Sequence, residues 1–452
     1  MAYIAPFRAF RYDPHRVPLS QVVTQPYDKI TPQMQGHYYD ANPYNLVRII
    51  LGRRLPSDSG ADNVYTRAAG FFQDWRRQGI FLQDPQPALY LYSQRFTVPG
   101  TKTEFERRGF IGLSRIEDYS AGIVFRHEQT LAKPKADRLD LLRASRAHFG
   151  QLFMLYSDSG EIENLLSIES PADIEVTDEY RVHHRIWKVS DPHRIGLVCG
   201  QMRDKKLIIA DGHHRYETAL SYRDERRAAV AMTAPDPASC RDAADNSLLV
   251  AGEAPGATYD WVMMTFINMN SPGLLILPTH RVVGGLASFS SERLRTDAET
   301  YFRVEEESAS LDAARATGIL HQAGRTGTAL LAVTADQAYL MHSPKPASSS
   351  RLAGLSLRQQ SLDVVQLHKC LLEDVLGLSE ESIRNQQNVS YVRDPAEALE
   401  RVRDGRADVA FLMNPVRIGQ VRDLALAGEV LPQKSTDFYP KLLSGLTIYA
   451  LD

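Results

Sequence analysis

Apolar and polar positions change their spacing several times in the first quarter of the chain. Residues 62–79 carry apolar side chains at helical spacing, with Gly79 placed to end the helix. Residues 88–98 alternate as a strand, and residues 104–116 are predicted to return as its hairpin partner. The apolar run at residues 46–51 is predicted as a further strand. A strand, a helix and then a hairpin indicate an α+β fold with mixed sheets rather than a regular doubly wound sheet.

The centre of the chain combines a buried strand with a polar turn. The apolar run at residues 207–210 predicts the strand, and Asp211-Gly212 ends it. Helical spacing follows, and the start of a helix has N–H groups that can bind an anion. Four polar side chains gather at this point, those of Asp211, His213, His214 and Arg215. The alternative is a solvated turn with an Asp cap, but burying so many polar groups without partners would be costly, so the cluster favours a functional site.

A similar order, an apolar strand followed by His and Arg, occurs again at residues 274–281. If this strand is a parallel neighbour of the strand at residues 207–210, His280 and Arg281 lie beside the polar turn, since ligands gather beyond the carboxyl ends of strands. The alternative interpretation is an ordinary strand end that faces solvent.

Two further stretches are rich in charge. Pro134 suits the first turn of a helix, and the charged residues around this helix start are Glu128, Lys133, Lys135 and Arg138. An exposed helix start with pairs along the helix is the alternative. Near residue 440, a loop bounded by prolines carries Lys434, Ser435, Thr436 and Lys441. We expect both stretches to meet the polar turn in one site, because like charges converge only around an anion or carboxylates.

The pattern changes character beyond about residue 290. Helices are predicted at residues 291–302, 309–323, 362–376 and 394–402, with strands at residues 329–333, 337–341, 389–392 and 409–413. The sequence therefore predicts a main α+β domain at residues 1–290. A smaller C-terminal α/β region at residues 291–452 is predicted to pack on it and complete the site.

Composition narrows the class of protein. A chain of 452 residues can form two or three cores, and a net charge of -3 argues against a nucleic-acid partner. Cys199, Cys240 and Cys370 are far apart, which disfavours a zinc ribbon or a disulfide framework and fits a reducing cytoplasm. Neither a secretion signal nor a membrane-spanning stretch is evident, so a cytoplasmic location without membrane partners is predicted. The oligomeric state stays open.

The stretch Ala210 to Ala219, ADGHHRYETA, resembles the signature of the DUF1015 family of bacteria and archaea. The turn is also similar to the Gly-His-Arg loop of the ParB/sulfiredoxin superfamily, which includes partition-protein nucleotidases, sulfiredoxins and free-serine kinases. The resemblance implies a ParB/sulfiredoxin-like core, and it gives Tyr27, Asp28 and Asn45 a place near a site. Further stretches that fit DUF1015 are Gln25 to Asp28, Asn42 to Tyr44, His127 to Arg146, Pro278 to Arg281 and Pro432 to Gly445.

The chemistry that fits these residues is phosphoryl transfer. Walker A, GxGxxG, HExxH and GxSxG motifs are absent from the sequence, whereas cations and acid–base groups are plentiful. The catalytic candidates are Asp211, His213, His214 and Glu128. The ligand-binding candidates are Arg215, Lys133, Lys135, Arg138, His280, Arg281, Lys434, Ser435, Thr436 and Lys441. Mg²⁺ is expected on Asp211 or Glu128 together with substrate phosphates.

The main hypothesis is a phosphotransferase acting on a small phosphorylated metabolite or nucleotide. The resemblance adds serine or phosphoserine as substrate and ATP or ADP as donor. A metal-dependent phosphatase using Asp211, His213, His214 and His280 is an alternative. A nucleotide-sensing regulator related to partition proteins is another, although no helix-turn-helix or basic arm is evident. A second histidine pair, His183-His184, lies in an alternating strand, so its members point to opposite faces and are predicted to be structural.

Overall fold

The computed structural model describes residues 1–128, 132–233, 254–308 and 310–451, with the backbone alone for residues 132–134 and 233. The chain forms two compact units. The first comprises Met1–Arg126, Thr130–Leu274 and Pro440–Asp452, and the second comprises His127–Gln129 and Leu275–Tyr439. The domain boundary predicted after residue 290 falls inside the second unit. Helices and mixed sheets together confirm the predicted α+β class.

The strands, in chain order, are β1 (Ile4–Ala5), β2 (Phe10–Tyr12), β3 (Phe81–Gln83), β4 (Leu89–Thr97), β5 (Glu104–Arg115), β6 (Val124–Phe125), β7 (Ala147–His148), β8 (Leu152–Tyr156), β9 (Ile174–Thr177), β10 (His183–Val189), β11 (Leu207–Asp211), β12 (Trp261–Asn268), β13 (Leu275–Leu277), β14 (His280–Val283), β15 (Arg303–Glu307), β16 (Ala329–Val333), β17 (Ala338–His342), β18 (Val389–Val392), β19 (Val409–Met413), β20 (Asp437–Tyr439) and β21 (Tyr449–Ala450).

The α-helices are α1 (Leu19–Val22), α2 (Pro32–Ala41), α3 (Val47–Ile50), α4 (Val64–Arg77), α5 (Ala132–Ser145), α6 (Glu161–Leu166), α7 (Pro192–Met202), α8 (His213–Thr233), α9 (Ser291–Ala298), α10 (Ala313–Ala323), α11 (Pro346–Arg351), α12 (Leu357–Gln360), α13 (Asp363–Gln366), α14 (Glu380–Arg384), α15 (Pro395–Arg403) and α16 (Ile418–Leu426). A π-helix, Leu367–Val375, continues α13. None of the described helices combines the length and apolar character that crossing a bilayer requires.

The first unit is built on a nine-stranded mixed sheet of the described residues, in the order β6-β11-β8-β12-β5-β4-β10-β9, with β1 added on β5. Strand β12 is buried along its whole length, as its continuous apolar sequence predicts. Strand β11 runs parallel to β6 and antiparallel to β8, and its register with β8 becomes irregular between Ile209 and Asp211. The strand and the helix predicted around residue 211 are confirmed as β11 and α8.

The strand predicted at residues 46–51 is wrong, because this run forms the short helix α3. The Asn45 side chain accepts a hydrogen bond from Val47 N (2.9 Å) and donates one to Gln21 O (2.7 Å), which fixes a turn at the start of the helix. Leu46, Ile49 and Ile50 then face one apolar core at helical spacing. A continuous apolar run fits either element, and here the local Asn turn selects the helix.

The second unit contains a six-stranded antiparallel sheet of the described residues, in the order β15-β17-β16-β19-β14-β18. Strand β14 lies between β18 and β19, which are joined by α15. His280 and Arg281 begin β14 and are 3% and 1% exposed. Their predicted position beyond a strand end, next to a parallel β11, is therefore wrong: Pro278 and Thr279 separate β13 from β14, and β11 belongs to the sheet of the first unit.

Candidate functional site

The turn between β11 and α8 in the first unit depends on glycine. Gly212 adopts a φ of +97°, and a Cβ on it would lie 2.7 Å from Leu152 Cδ2 and 3.0 Å from Arg215 Nη2. Its N–H donates to Asp211 Oδ1 (2.9 Å), and its carbonyl accepts from Tyr216 N (3.0 Å). The turn therefore places the Asp211 carboxylate directly at the start of α8.

Two cations flank this carboxylate. Lys441 Nζ lies 3.6 Å and Arg215 Nη2 lies 3.8 Å from Asp211 Oδ2. Burial alone would raise the pKa of Asp211, but the charges of Lys441, Arg215 and Lys29 outweigh it and hold the pKa well below its ordinary value. The carboxylate is therefore ionised at neutral pH. A carboxylate with so low a pKa is a weak base, so it is better suited to holding cations than to removing a proton.

Lys441 is fixed through its backbone by a buried polar network. Gln94 Nε2 donates to Lys441 O (2.8 Å), and the Arg107 guanidinium donates both to Gln94 Oε1 and to Pro440 O. Arg107 is fully buried, and burial lowers its pKa to about 9. Gln94 and Arg107 are opposite each other in the β4–β5 hairpin. Neither residue was predicted as part of a site from the sequence, although a polar pair facing across a predicted hairpin was a signal for them.

His184 extends this network away from Lys441. Its Nδ1 lies 2.7 Å from the Tyr92 hydroxyl, and its Nε2 lies 3.2 Å from Asp178 Oδ2. Burial lowers the pKa of His184, against the opposing effect of Asp178. His184 is fully buried while His183 is half-buried, which agrees with the predicted opposite faces of this pair.

A cavity of about 70 Å³ adjoins Arg215 in the first unit. Arg138 also lines it, with its guanidinium 4.1 Å from the centre of the Tyr27 ring and its Nη1 donating to Ile50 O (2.6 Å). His148 is a further wall, and burial lowers its pKa to about 4, which makes it neutral at pH 7. The other walls are largely apolar. This cavity brings the predicted residues Arg138 and Arg215 to one small, mixed surface.

A second polar cluster lies within the second unit. Glu128 Oε1 accepts from Lys434 N (3.0 Å), and His127 Nε2 lies 2.8 Å from Thr436 Oγ1. Arg281 Nη2 donates to Lys434 O (3.2 Å), and burial lowers the pKa of this arginine to about 10. Lys434 has a φ of +56°, a conformation that costs energy in a residue with a side chain. Glu128, Arg281 and the loop at residues 434–436 are therefore held together mostly through backbone atoms.

The remaining predicted residues have simpler surroundings. His280 Nδ1 accepts from Met413 N (3.3 Å), and burial lowers the His280 pKa to about 4. His213 is buried at the start of α8, whereas His214 is half-buried. Lys135 contributes its carbonyl to a long contact with Thr218 Oγ1 (3.4 Å). Lys133 lies in α5, and its side chain is outside the described part of the structure. Cys240 also lies outside the described residues.

The predicted C-terminal stretch divides between the two clusters. Lys441 joins Asp211 and Arg215 in the first unit, while Lys434, Ser435 and Thr436 join Glu128 in the second. A single site built from all three predicted stretches stays a prediction.

A metal centre made of protein ligands alone is not formed by the described residues, because they contain no group of three or more His, Cys, Asp or Glu side chains suited to hold an ion. Mg²⁺ has a different requirement: one or two carboxylates suffice when substrate phosphates supply further oxygens. The ionised Asp211 fits that mode.

Comparison with protein families gives one match. The family described as "Protein of unknown function (DUF1015)" matches residues 4–365, which is well over half of the chain. A search of curated proteins finds no match.

Several solved structures are similar over most of their length. A conserved hypothetical protein from Pyrococcus furiosus is 11% identical, with 72% of this chain and 91% of that chain covered and a TM-score of 0.34. A free serine kinase in complex with AMP is 13% identical, with 72% and 88% covered and a TM-score of 0.33. SbnI with a C-terminal truncation, from Staphylococcus aureus, is 10% identical, with 75% and 87% covered and a TM-score of 0.33. These TM-scores are too low to establish a shared fold, and none of these names refers to the ParB/sulfiredoxin superfamily, so that resemblance stays a prediction.

Proposed function

We propose, for a chain that belongs to the DUF1015 family of proteins of unknown function, that the first unit is a phosphotransferase acting on a small phosphorylated metabolite or nucleotide. One observation carries the proposal: Arg215 and Lys441 flank the ionised Asp211 at the start of helix α8. The three side chains come together at a point where backbone N–H groups already favour an anion.

The cations at this point suit a phosphate. Lys441 and Arg215 lie beside the Asp211 carboxylate, and the charge of Lys29 also acts on it. A phosphate group would accept hydrogen bonds from the guanidinium and from the start of the helix. Arg215 is already oriented, because its Nη1 donates to Gln151 O (2.6 Å).

Each residue then has a separate role. Arg215 and Lys441 hold the transferred phosphoryl group and offset its charge in the transition state. Asp211 orients these two cations and provides the carboxylate for Mg²⁺, which when bound would neutralise further phosphate charge. Because Asp211 is a weak base, His213 is the better candidate to take the proton of the attacking hydroxyl.

The finer assignment rests on the sequence resemblance to a superfamily that includes free-serine kinases. It gives ATP or ADP as phosphate donor and serine as acceptor, with phosphoserine as product.

The test measures binding and turnover together. The purified protein is titrated with ADP and with phosphoserine by calorimetry, and phosphate transfer from ATP or ADP to serine is followed by ³¹P NMR with and without Mg²⁺. Arg215→Ala should weaken binding roughly tenfold to hundredfold, the range for a lost charge-assisted hydrogen bond. Arg227→Ala, on the exposed part of the same helix, is the matched control and should leave binding unchanged.

The outcomes separate the three hypotheses. Transfer to serine supports the phosphotransferase, release of inorganic phosphate without an acceptor supports a phosphatase, and tight nucleotide binding without turnover supports a regulator. Equal binding by the parent and by Arg215→Ala would show that the start of α8 is not the phosphate site.

A further inference from the structure

A larger cavity, of about 600 Å³, lies entirely within the second unit. Its volume is in the range of small-molecule sites. It is formed by the loop between α10 and β16, the start of α13 and the connection from β19 to α16. The polar residues that line it and carry the argument are His321, Arg325, Thr328, Asp363, Asn414 and Arg417.

The buried side of this cavity offers hydrogen-bond acceptors. Thr328 is 7% exposed, and its hydroxyl accepts from Gln366 Nε2 (3.0 Å). Asp363 is close to Thr328, and burial raises the pKa of its carboxyl to about 6. A ligand with a hydroxyl or amine would find acceptor oxygens on this side, and buried polar groups gain from such a partner.

The outer side of the cavity is cationic. Arg325 and Arg417 are exposed at its rim. The charge of Arg417 acts on the Asp363 carboxyl, although within the described part of the chain neither guanidinium lies within ion-pair distance of a carboxylate. Helix α16 begins directly after Arg417, and Gln420 of its first turn also lines the cavity. Guanidinium groups beside a helix start suit an oxyanion.

One wall of this cavity, between α10 and β19, is closely packed. A Cβ on Gly324 would lie 2.3 Å from Asn414 Nδ2, and that amide donates to Leu320 O (2.8 Å). The Asn414 side chain is thereby held in place, so the wall between α10 and β19 is a fixed surface rather than a loose loop.

We infer that this cavity binds a small polar metabolite, which presents a phosphate or carboxylate to Arg325 and Arg417 and a hydrogen-bond donor to Thr328 and Asp363. The residues involved all belong to the second unit, so the inference does not depend on phosphoryl transfer at the start of α8. Phosphate and carboxylate are both oxyanions, and separate titrations with a phosphate probe and a carboxylate probe distinguish them.

The experiment uses the full chain with Arg215→Ala, which weakens phosphate binding in the first unit. Inorganic phosphate and succinate are titrated separately by calorimetry. Binding of one of the two probes should weaken at least about tenfold in Arg417→Ala and in Arg325→Ala, because each variant removes a charge-assisted contact. Arg422→Ala is the matched control, since this exposed arginine is in the same helix and does not line the cavity.

Thr328→Val tests the buried side without changing charge. Ethanolamine phosphate carries both an oxyanion and an amine. The Thr328→Val substitution should weaken binding of ethanolamine phosphate more than binding of inorganic phosphate. The inference is overturned if neither simple probe binds, or if Arg422→Ala weakens binding as much as Arg417→Ala does. Loss of binding in Arg417→Ala alone, with no effect of Arg215→Ala in the parent, would support this cavity and count against the proposed function.

Discussion

Asp211 illustrates how one carboxyl can serve both stability and binding. Its interactions with Lys441 and Arg215 lower its pKa in the folded state, so the charged form is the one that stabilises the fold. A group with a depressed folded pKa contributes this stability above its unfolded pKa, about 3.9 for Asp, and the contribution is lost as pH falls further.

We expect Asp211→Asn to abolish turnover and to lower the free energy of unfolding by about 1–3 kcal/mol at pH 7. Asn can still accept the hydrogen bond from Gly212 N but carries no charge. The difference from the parent should shrink as pH is lowered from about 5 towards 2, because the unfolded parent binds a proton at Asp211 below about pH 3.9 while the folded parent still resists protonation. Urea unfolding across this range provides the measurement. A difference that is constant with pH would show that the charge of Asp211 does not stabilise the fold.

Arg107 shows the cost of holding a cation inside the first unit. Its guanidinium is a donor to Gln94 and to Pro440 O, so Arg107→Met would leave two buried acceptors short of a partner. We expect a loss of about 2–4 kcal/mol in unfolding free energy and weaker phosphate binding, as Lys441 loses its backbone support. Arg108→Met is the control: this neighbour is exposed and should change stability by less than about 0.5 kcal/mol. Similar effects of both substitutions would contradict the positioning role.

The start of α8 depends on backbone geometry that is available to few residues. Gly212→Ala adds a Cβ at a φ of +97° and within 2.7 Å of Leu152, so we expect a loss of about 1–3 kcal/mol and a displaced Arg215. Gly196→Ala is the matched control in the interior of α7, where a Cβ meets nothing within 4 Å. That substitution should stabilise the protein by about 0.5–1 kcal/mol. Thermal unfolding of both variants, together with ADP titration, checks the prediction, and equal effects would contradict it.

Periodicity predicted the longer elements of the first unit. The helix at residues 62–79 is α4, whose buried side chains recur at helical spacing. The hairpin at residues 88–98 and 104–116 is β4 and β5, although both strands bury consecutive residues over part of their length. Residues 46–51 were misread because a short apolar run does not reveal its period, and here a side-chain turn at Asn45 selected the helix. The apolar run at residues 274–277 does contain a strand, β13, but its pairing with β20 and the new strand that begins at His280 could not be deduced from the sequence.

The candidate site was predictable where its residues are adjacent in sequence. Asp211 and Arg215 share one turn, so their meeting follows from local structure alone. Lys441 was expected to meet the polar turn because of the charge of its loop, and it lies beside Asp211 across more than 200 positions of sequence. Arg107 was missed because an arginine in an alternating strand ordinarily faces solvent.

Among the described residues each unit has its own hydrophobic core, so a ligand that binds one unit should slow amide hydrogen exchange mainly in that unit. We expect ADP, with Mg²⁺, to slow amide exchange in β8, β11 and the start of α8, by an amount that grows with ligand concentration as binding linkage requires. Exchange in β16 and β19 should change less. Hydrogen–deuterium exchange with mass spectrometry measures both regions at once. Protection confined to β16 and β19 would count against a nucleotide site in the first unit.

The path of the chain also has a consequence for biosynthesis. Strand β21 pairs with β7, and Gln151 donates to Leu443 O across 292 positions of sequence. A ribosome that has made β7, β8 and β11 must still translate the whole second unit before residues 440–452 emerge to complete the first. Folding during synthesis would therefore favour the second unit, which is continuous over residues 275–439. The first unit would stay incomplete until then, with β7 unpaired and open to a chaperone. Lys441 is translated only after residues 275–439, so a nascent chain released before that point would lack the cation that pairs with Asp211.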